Sequence, residues 1–580
     1  MKKEQFFEIL SDLDEEEIER AGSYALEEGA AATEEKRKEE GAHIDHPSKP
    51  RRVWTGFGSA VAVMAVMLLG IWLLWPKGTG SVEQKEKYGG APMGIDQTNP
   101  DLTESAKGSS TELEKGGRVS NPRDWTEEDA AWMKSVKVID ASLPEPIAAG
   151  MSAEEYYYSE EYVRGIRAAN GDYRTVAFQL MDSMQGFYGS IAKSMLARGE
   201  DNVICSPLNI YLALSLLSET TDGNSRKQLL DFLGVDDIET LRGNVDALWN
   251  SNFVDTPLVQ SYLANSLWLN ESVPYETDTL ERLAKNYHAS SFIGKPGSKD
   301  MDQGLKSWTN KATGGLLEKY VQSMHIAPET VLELVSTIYY HAMWTDKFTE
   351  AMTTKETFHG TKGATTVSMM HRSQWMNVYR SEKVTALRLA LENGGNMYFY
   401  LPAEGVDIAE LAADPELESI EYLRAKRAKE WNEHYAEWKN SGLSDEEIVH
   451  RQIEAEREAG WIMPMVHMSI PRFHVDQKTD LLRMLSENGI TDIINSATSD
   501  FSPLTKAASN IYVSKADHAA TLEIDEKGVK GAAYVEIVME GATLTQPEEE
   551  IDFVLDRPFL FAVYSGDGSI LFQGIVRNIG

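Results

Sequence analysis

The run GVKGAAYVEIVMEG, residues 528–541, places the hardest condition on any fold for this chain. By parity, Val529, Gly531, Ala533, Val535, Ile537, Met539 and Gly541 share one side, all apolar or bare backbone. Lys530, Ala532, Tyr534, Glu536, Val538 and Glu540 share the other. Period-2 alternation of this kind belongs to a half-buried strand. Yet the run opens on a glycine, carries two more, and leads into GATLTQPEEE, which has the composition of an exposed loop. One segment must be both tolerable in water and able to pack as a strand.

The chain has 580 residues, too many for one ordinary domain. Its net charge of −35 argues against a general nucleic-acid binder, because phosphate binding needs a basic surface. A single cysteine, Cys205, excludes an intramolecular disulfide and any cysteine-based zinc site. No metal or cofactor is expected. No GxSxG elbow, HExxH pair or P-loop occurs, so no motif supports an enzyme.

Val53–Trp75 carries no charge over 23 residues. At ~1.5 Å per residue such a helix spans a hydrocarbon core of about 30 Å. Trp54, Trp72 and Trp75 lie near its ends, and Lys49, Arg51 and Arg52 precede it. The positive-inside rule then predicts a single-pass cell-membrane protein with a cytoplasmic N-terminus and an extracellular C-terminal domain. Before the span, residues 1–52 form a short cytoplasmic segment, either a tail with one short helix or a docking helix for a partner. After it, residues 76–122 read as a flexible stalk, too poor in apolar side chains to offset chain entropy. Residues 123–170 regain Trp, Tyr and Ile and read as an extension of undefined structure.

Residues 171–580 read as globular. TVAFQLMDSMQGFYGSIAKSML has helical spacing. NVICSPLNIYLALSLLSETT turns at Ser206–Pro207 into a very apolar helix, and NSRKQLLDFLGV is a helix ended by Gly234. Strand-like runs follow, among them VQSYLANSLWLN, LELVSTIYYHAMW and MVHMSIPRFHV. The C-terminus gives two strands around a Gly-Asp-Gly turn. Helices first and long strands later imply an α+β fold.

The order of these pieces resembles the serpin family over roughly residues 171–580. NVICSPLNIYLALSLL resembles the family's buried second helix. LKSWTNKATGGLL resembles its segment with a Thr-x-Gly after a helix bearing Asn and Trp. LELVSTIYYHAMWTDKF leads to the family's Trp, here Trp344. TFHGTKGATTVSMMHR, ADHAATLEIDEKG, RPFLFAVY and SILFQGIVRN follow in the expected order. Together with the uncharged span, the chain resembles a membrane-anchored, bacterial-type member. The resemblance implies helices around a large mixed or antiparallel central sheet with an exposed reactive-centre loop, here about residues 526–550.

It also implies a function without turnover. A serine protease cuts the loop, and the freed N-terminal part inserts as a new strand of the main sheet. The acyl-enzyme is then trapped before water can deacylate it. The implied hinge is Glu526, Lys527, Gly528, Val529, Lys530, Gly531, Ala532 and Ala533. Counting fourteen residues from Gly528 reaches Ala542, with the cut before Thr543. Counting back from Arg557–Pro558 favours Leu544–Thr545. No Lys or Arg lies between Gly531 and Asp556, which implies a small or apolar primary pocket, elastase-like or subtilisin-like. The implied shutter residues are Ser206, Ser336 and His518. Ser336 stands where the family carries Asn and is expected to bond His518. The partners expected are a serine protease, the membrane through residues 53–75, and no nucleic acid, for a monomer.

Three hinge residues depart from the family pattern: Val529, Lys530 and Gly531. An insertion at about residues 419–460 reads as two helices, with Trp431, Tyr435 and Trp438 on one face. A capping box from Ser444 to Glu447 opens the second. It is either a hairpin packed on the body or a partner-binding arm. A non-inhibitory serpin serving as an extracellular binding or adhesion module is the alternative function.

Overall fold

The computed structural model describes residues 125–580 except 142, 145–150, 152–154, 157–158, 160–171, 198, 415–416, 418–419, 508–510 and 530–548. Residues 1–52, the uncharged run at 53–75 and residues 76–122 lie outside the described residues, as do hinge residues Lys530–Ala533 and both candidate reactive bonds.

The described chain begins with a short helix, α1 (Asp129–Trp132), and strand β1 (Lys137–Ile139). After α2 (Asp172–Met195) and β2 (Val203–Cys205) comes α3 (Pro207–Thr220). Ser206 caps α3 by accepting from the Asn209 N–H at 3.4 Å, and Pro207 supplies a pre-set φ in its first turn. All but one of the residues of α3 are buried, which is why its sequence is apolar almost all round. Helix α4 (Gly223–Leu233) stops where Gly234 takes φ +70°. Next come α5 (Ile238–Asn252), β3 (Val254–Asp255), β4 (Val259–Asn270), α6 (Thr277–Asn286), β5 (Ala289–Gly294), α7 (Lys299–Ala312), α8 (Glu318–Val321) and β6 (Leu332–Met343).

The second half is mostly strand. It runs through β7 (Thr353–Gly360), β8 (Gly363–Trp375), β9 (Val378–Arg380), β10 (Val384–Ala390) and β11 (Asn396–Pro402) to α9 (Ile408–Ala412). A helical hairpin follows, α10 (Ile420–Asn440) and α11 (Asp445–Glu458), with Ser444 and Glu447 bonded reciprocally as a capping box. Then come β12 (Trp461–Ile462), β13 (Met465–Pro471), β14 (Phe473–Asp480), α12 (Leu482–Glu487), β15 (Asp517–Ile524), β16 (Gly528–Val529), β17 (Glu550–Val554), β18 (Phe559–Tyr564) and β19 (Ile570–Val576).

The described residues form three sheets. The largest has the order β1-β5-β4-β6-β16-β15-β14, with β3 also on β4. A second has the order β12-β9-β10-β11-β18-β19-β2, and a third β17-β13-β8-β7. Strand β4 runs antiparallel to β6 from Val259↔Ala342 to Leu269↔Leu332 and parallel to β5. Nearly every residue of β4 is buried, because both faces of the large sheet are covered there. The main core holds α3, the second sheet and the inner face of the large one. A separate cluster, Trp132, Trp268, Phe292, Met301, Leu305 and Trp308, lies under α7 on the outer face, with Trp268 stacked on Phe292 at 4.2 Å.

The single-pass, cell-membrane placement of the chain is corrected here. Among the described residues no helix is long and apolar enough to cross a membrane. The longest, α2, has 24 residues but carries Asp172, Arg174, Asp182 and Lys193. The most apolar, α3, has 14 residues and reaches only about 21 Å, short of the ~30 Å required.

Candidate functional site

The turn between β15 and β16 is built around Asp525. Its carboxylate accepts from the Lys527 and Gly528 N–H groups at 2.8 and 3.2 Å, and its own N–H donates to the Gly528 carbonyl at 3.1 Å. Trp344 anchors the turn from the far side. Its indole N–H donates to the Asp525 carbonyl at 2.8 Å, and its backbone N–H to the Lys527 carbonyl at 3.0 Å. A Cβ on Gly528 would meet the Ala342 carbonyl oxygen at 2.3 Å, so only glycine lets the chain pass this close to β6.

Beside the turn, Glu526 is 2% exposed. Its carboxylate takes two hydrogen bonds from Arg472, at 2.8 and 2.5 Å, and one from the Thr353 hydroxyl. Burial alone would raise this carboxyl, but Arg472 and Thr353 hold it below its usual range. The backbone of Glu526 also accepts from the Phe348 N–H at 3.0 Å. Sequence reasoning placed Glu526 in the hinge but missed Arg472 and Thr353.

Gly528 and Val529 then form a two-residue strand within the large sheet. Gly528 pairs with Met343 and Val529 with Ala342 of β6, while Val529 pairs with Ile524 of β15, antiparallel in each case. The Val529 side chain is 2% exposed and faces the main core. On the other side of the loop, Glu549 meets Arg380 at 2.7 Å, and β17 runs parallel to β13 in the third sheet. The loop is thus held at both ends, on different sheets.

Lower in the large sheet, the start of α3 brings Ser206, Asn209, Ser336 and His518 together. The Ser206 N–H donates to His518 Nε2 at 3.0 Å. Ser336 Oγ donates to Asn209 Oδ1 at 2.6 Å, and Asn209 Nδ2 returns a bond to the Ser336 carbonyl at 3.0 Å. Ser336 therefore turns to Asn209 and not to His518. Asn209 was not singled out in the sequence, although it lies on the first turn of a helix whose start was legible.

Burial pushes His518 down to about 4 from 6.5. Its Nε2 accepts a hydrogen bond only when neutral. The unfolded chain binds this proton first, so the contribution of His518 to stability is complete above about pH 6.5 and is lost as pH falls toward 4. The expected loss is up to about 3 kcal/mol. Thermal midpoints measured from pH 7 to 4.5 check this. His518→Gln should flatten that part of the profile, and an unchanged profile would remove His518 as its source.

Cys205 is buried, and burial pushes its thiol up to about 12, which makes it a poor nucleophile. Among the described residues no group of three or more His, Cys, Asp or Glu is placed to hold a metal ion.

Residues 182–579 match the family described as Serpin (serine protease inhibitor). Serpin-ZX of Arabidopsis thaliana is 26% identical over 402 residues, 65% of this chain and 91% of its own. The leukocyte elastase inhibitor of Homo sapiens is 26% identical over 386 residues, 64% and 92% of the two chains. Among solved structures, the native thermophilic serpin tengpin superposes with a TM-score of 0.55 at 18% identity, covering 76% of this chain and 98% of its own. The complex of thyroxine-binding globulin with thyroxine gives 0.52 at 21%, covering 68% and 99%. At these identities the two structures speak for the fold alone. The family match spans well over half of the chain, and this protein belongs to the serpin family.

Proposed function

We propose that this serpin is a suicide inhibitor of serine proteases, acting by loop cleavage, strand insertion and trapping of the acyl-enzyme. The observation that carries the reading is β16. The first two residues of the loop already occupy the position between β6 and β15, antiparallel to both. Each further residue inserted would step one residue down β6, whose twelve residues from Met343 to Leu332 accommodate Gly528 to Met539.

In that register Val535 lies between Ser336 and His518, and Ala533 between Ile338 and Ala520. Val529, Gly531, Ala533, Val535 and Ile537 fall on the face that holds buried His518, Ala520, Leu522 and Ile524. The small residues at 531 and 533 limit overpacking. Cleavage after Ala542, or after Leu544, frees the whole inserting segment. The protease serine attacks the carbonyl of that residue, and the peptide beginning at the next one leaves. Insertion of the remaining ten residues, 530–539, then carries the ester-linked protease about 33 Å along the sheet.

The pocket class rests on the sequence between Gly531 and Asp556, which offers no cation to a trypsin-like site. It agrees with the name of the human relative, an elastase inhibitor. The test is incubation with elastase-, subtilisin-, chymotrypsin- and trypsin-like proteases, followed by denaturing electrophoresis. An SDS-resistant complex with an enzyme of small or apolar pocket is expected. Cleavage by every protease without any complex overturns inhibition and favours a binding module.

A further inference from the structure

The helical hairpin of α10 and α11 meets the body only at its ends. Among its described residues, those that pack on the main core are Ile420, Tyr422 and Ala459. Between them the hairpin has an interior of its own. Ile448 of α11 is 1% exposed yet lies in neither core cluster. Trp431 and Trp438 of α10 pack on each other at 4.3 Å, and Arg427 meets Glu456 of α11 at 3.8 Å. The insertion is therefore an arm and not a cover for the body.

The foot of the arm is fixed. Glu421, 7% exposed, accepts from the Tyr398 hydroxyl of β11 and takes two bonds from Arg424, at 3.0 and 2.8 Å. The Tyr422 hydroxyl donates to Asp182 of α2 at 3.0 Å. Where the hairpin ends, the Gly460 carbonyl accepts from the Arg380 N–H of β9 at 2.8 Å. A Cβ on Gly460 would come within 2.9 Å of the Tyr379 ring, so the chain passes close to β9 there. Bonds to β11, α2 and β9 thus set where the arm leaves the body.

Arg380 also anchors the reactive loop. Its guanidinium holds Glu549 at 2.7 Å, and the Glu549 carbonyl accepts from the Met465 N–H at 3.1 Å. A single residue therefore joins the foot of the arm to the C-terminal foot of the loop. Ala542 lies seven residues before Glu549, at most about 24 Å of extended chain. A protease domain of roughly 230 residues has a radius of gyration of about 17 Å. The two lengths are comparable, so a protease seated at that bond reaches the foot of the arm.

The arm offers that protease an apolar surface. Of the ten large apolar side chains that stand exposed among the described residues, five are Leu423, Tyr435, Val449, Ile453 and Met463, on the arm or just past its foot. Val449 and Ile453, 51% and 54% exposed, lie one turn apart on one face of α11. Exposed apolar side chains gathered in one region mark a contact surface, whereas scattered ones do not. We propose that the hairpin is a docking arm for the protease seated on the reactive loop, which it meets through Val449 and Ile453. The inference rests on the inhibitory reading above. It adds a requirement on the target: an apolar patch on the protease surface beside its active-site cleft.

The test compares wild type with the double variant Val449→Gln, Ile453→Gln, which keeps good helix formers at both exposed positions. Against a protease that wild type traps, the second-order rate of complex formation should fall about tenfold, the scale of one or two interface anchors. The ratio of covalent complex to cleaved product should stay the same, because insertion follows docking, and so should the thermal midpoint. Replacing residues 428–455 by a short Gly-Ser link, with both ends of the hairpin kept, should slow trapping at least as much. An unchanged rate in both variants overturns the docking arm while leaving inhibition standing. So does a wild-type dimer that the double variant splits at an unchanged rate, which assigns the face to a second copy of this chain. A wild type that forms no SDS-resistant complex with any protease overturns inhibition itself, and the arm's role with it.

Discussion

A protease that the parent chain traps should cut Ala533→Arg and leave. In the proposed inserted strand, position 533 sits between Ile338 of β6 and Ala520 of β15, on the face shared with Val529 and Ile524. Ala520, Val529 and Ile524 are all buried in the main core. An arginine there brings an ion into an apolar layer with no carboxylate opposite it, at a cost of several kcal/mol. Insertion competes with deacylation, so a barrier raised by that amount slows trapping by a factor on the order of 100 or more. The ester then hydrolyses first, and the products are cleaved inhibitor and free protease.

Ala532→Arg is the matched control. Position 532 faces the other way, in the row of Thr521 and Asp476. Thr521 is half-buried, and Asp476 supplies a carboxylate one strand further along. This variant should still form the covalent complex. The ratio of complex to cleaved product on a denaturing gel, for both variants against one protease, decides the matter. If the two variants behave alike, the assignment of faces to residues 528–541 is wrong.

What the sequence discloses of this site depends on how local each interaction is. The start of α3 at Ser206–Pro207, the stop at Gly234 and the Ser444–Glu447 box all arise from groups within about four residues of one another. Such signals survive in a single sequence because the backbone and its nearest side chains decide them. The pair Glu526–Arg472 joins residues 54 apart, and Asp129–Lys311 residues 182 apart. The chain contains 91 acidic residues, and nothing adjacent to Asp129 or Glu526 distinguishes a buried carboxylate from a solvated one. The sequence showed that residues 123–170 regain Trp, Tyr and Ile but gave no structure for them. Which strand edge β1 would meet was not legible from three residues. Ser336 shows the limit of reasoning by resemblance. The position was placed near His518, but the first turn of α3 presents the Asn209 amide to it, and that nearer partner takes the hydroxyl.

The Glu526–Arg472 pair yields an asymmetric expectation. The Glu526 side chain is almost wholly enclosed, whereas that of Arg472 is 44% exposed. Removing the carboxylate by Glu526→Gln leaves an arginine that water can solvate and an amide that can still bond Thr353. Removing the cation by Arg472→Met leaves a carboxylate enclosed with one hydroxyl, and breaking a buried pair from that side costs about 3–5 kcal/mol. Arg472→Met should therefore be the more damaging, by about 2 kcal/mol or more. The damage should reach the hinge, since the Glu526 backbone holds Phe348 and the next two residues lead into β16. A hinge withdrawn from the sheet leaves the facing edges of β6 and β15 open to a strand from another molecule, the hazard of any unpaired edge. Mild heating followed by size-exclusion chromatography should show oligomers from Arg472→Met first, then from Glu526→Gln, and last from wild type. Lower pH should narrow the gap between the two variants, because protonation removes the unpaired charge at Glu526. Equal behaviour of the two variants at neutral pH would mean that the enclosed carboxylate is not what fixes the hinge.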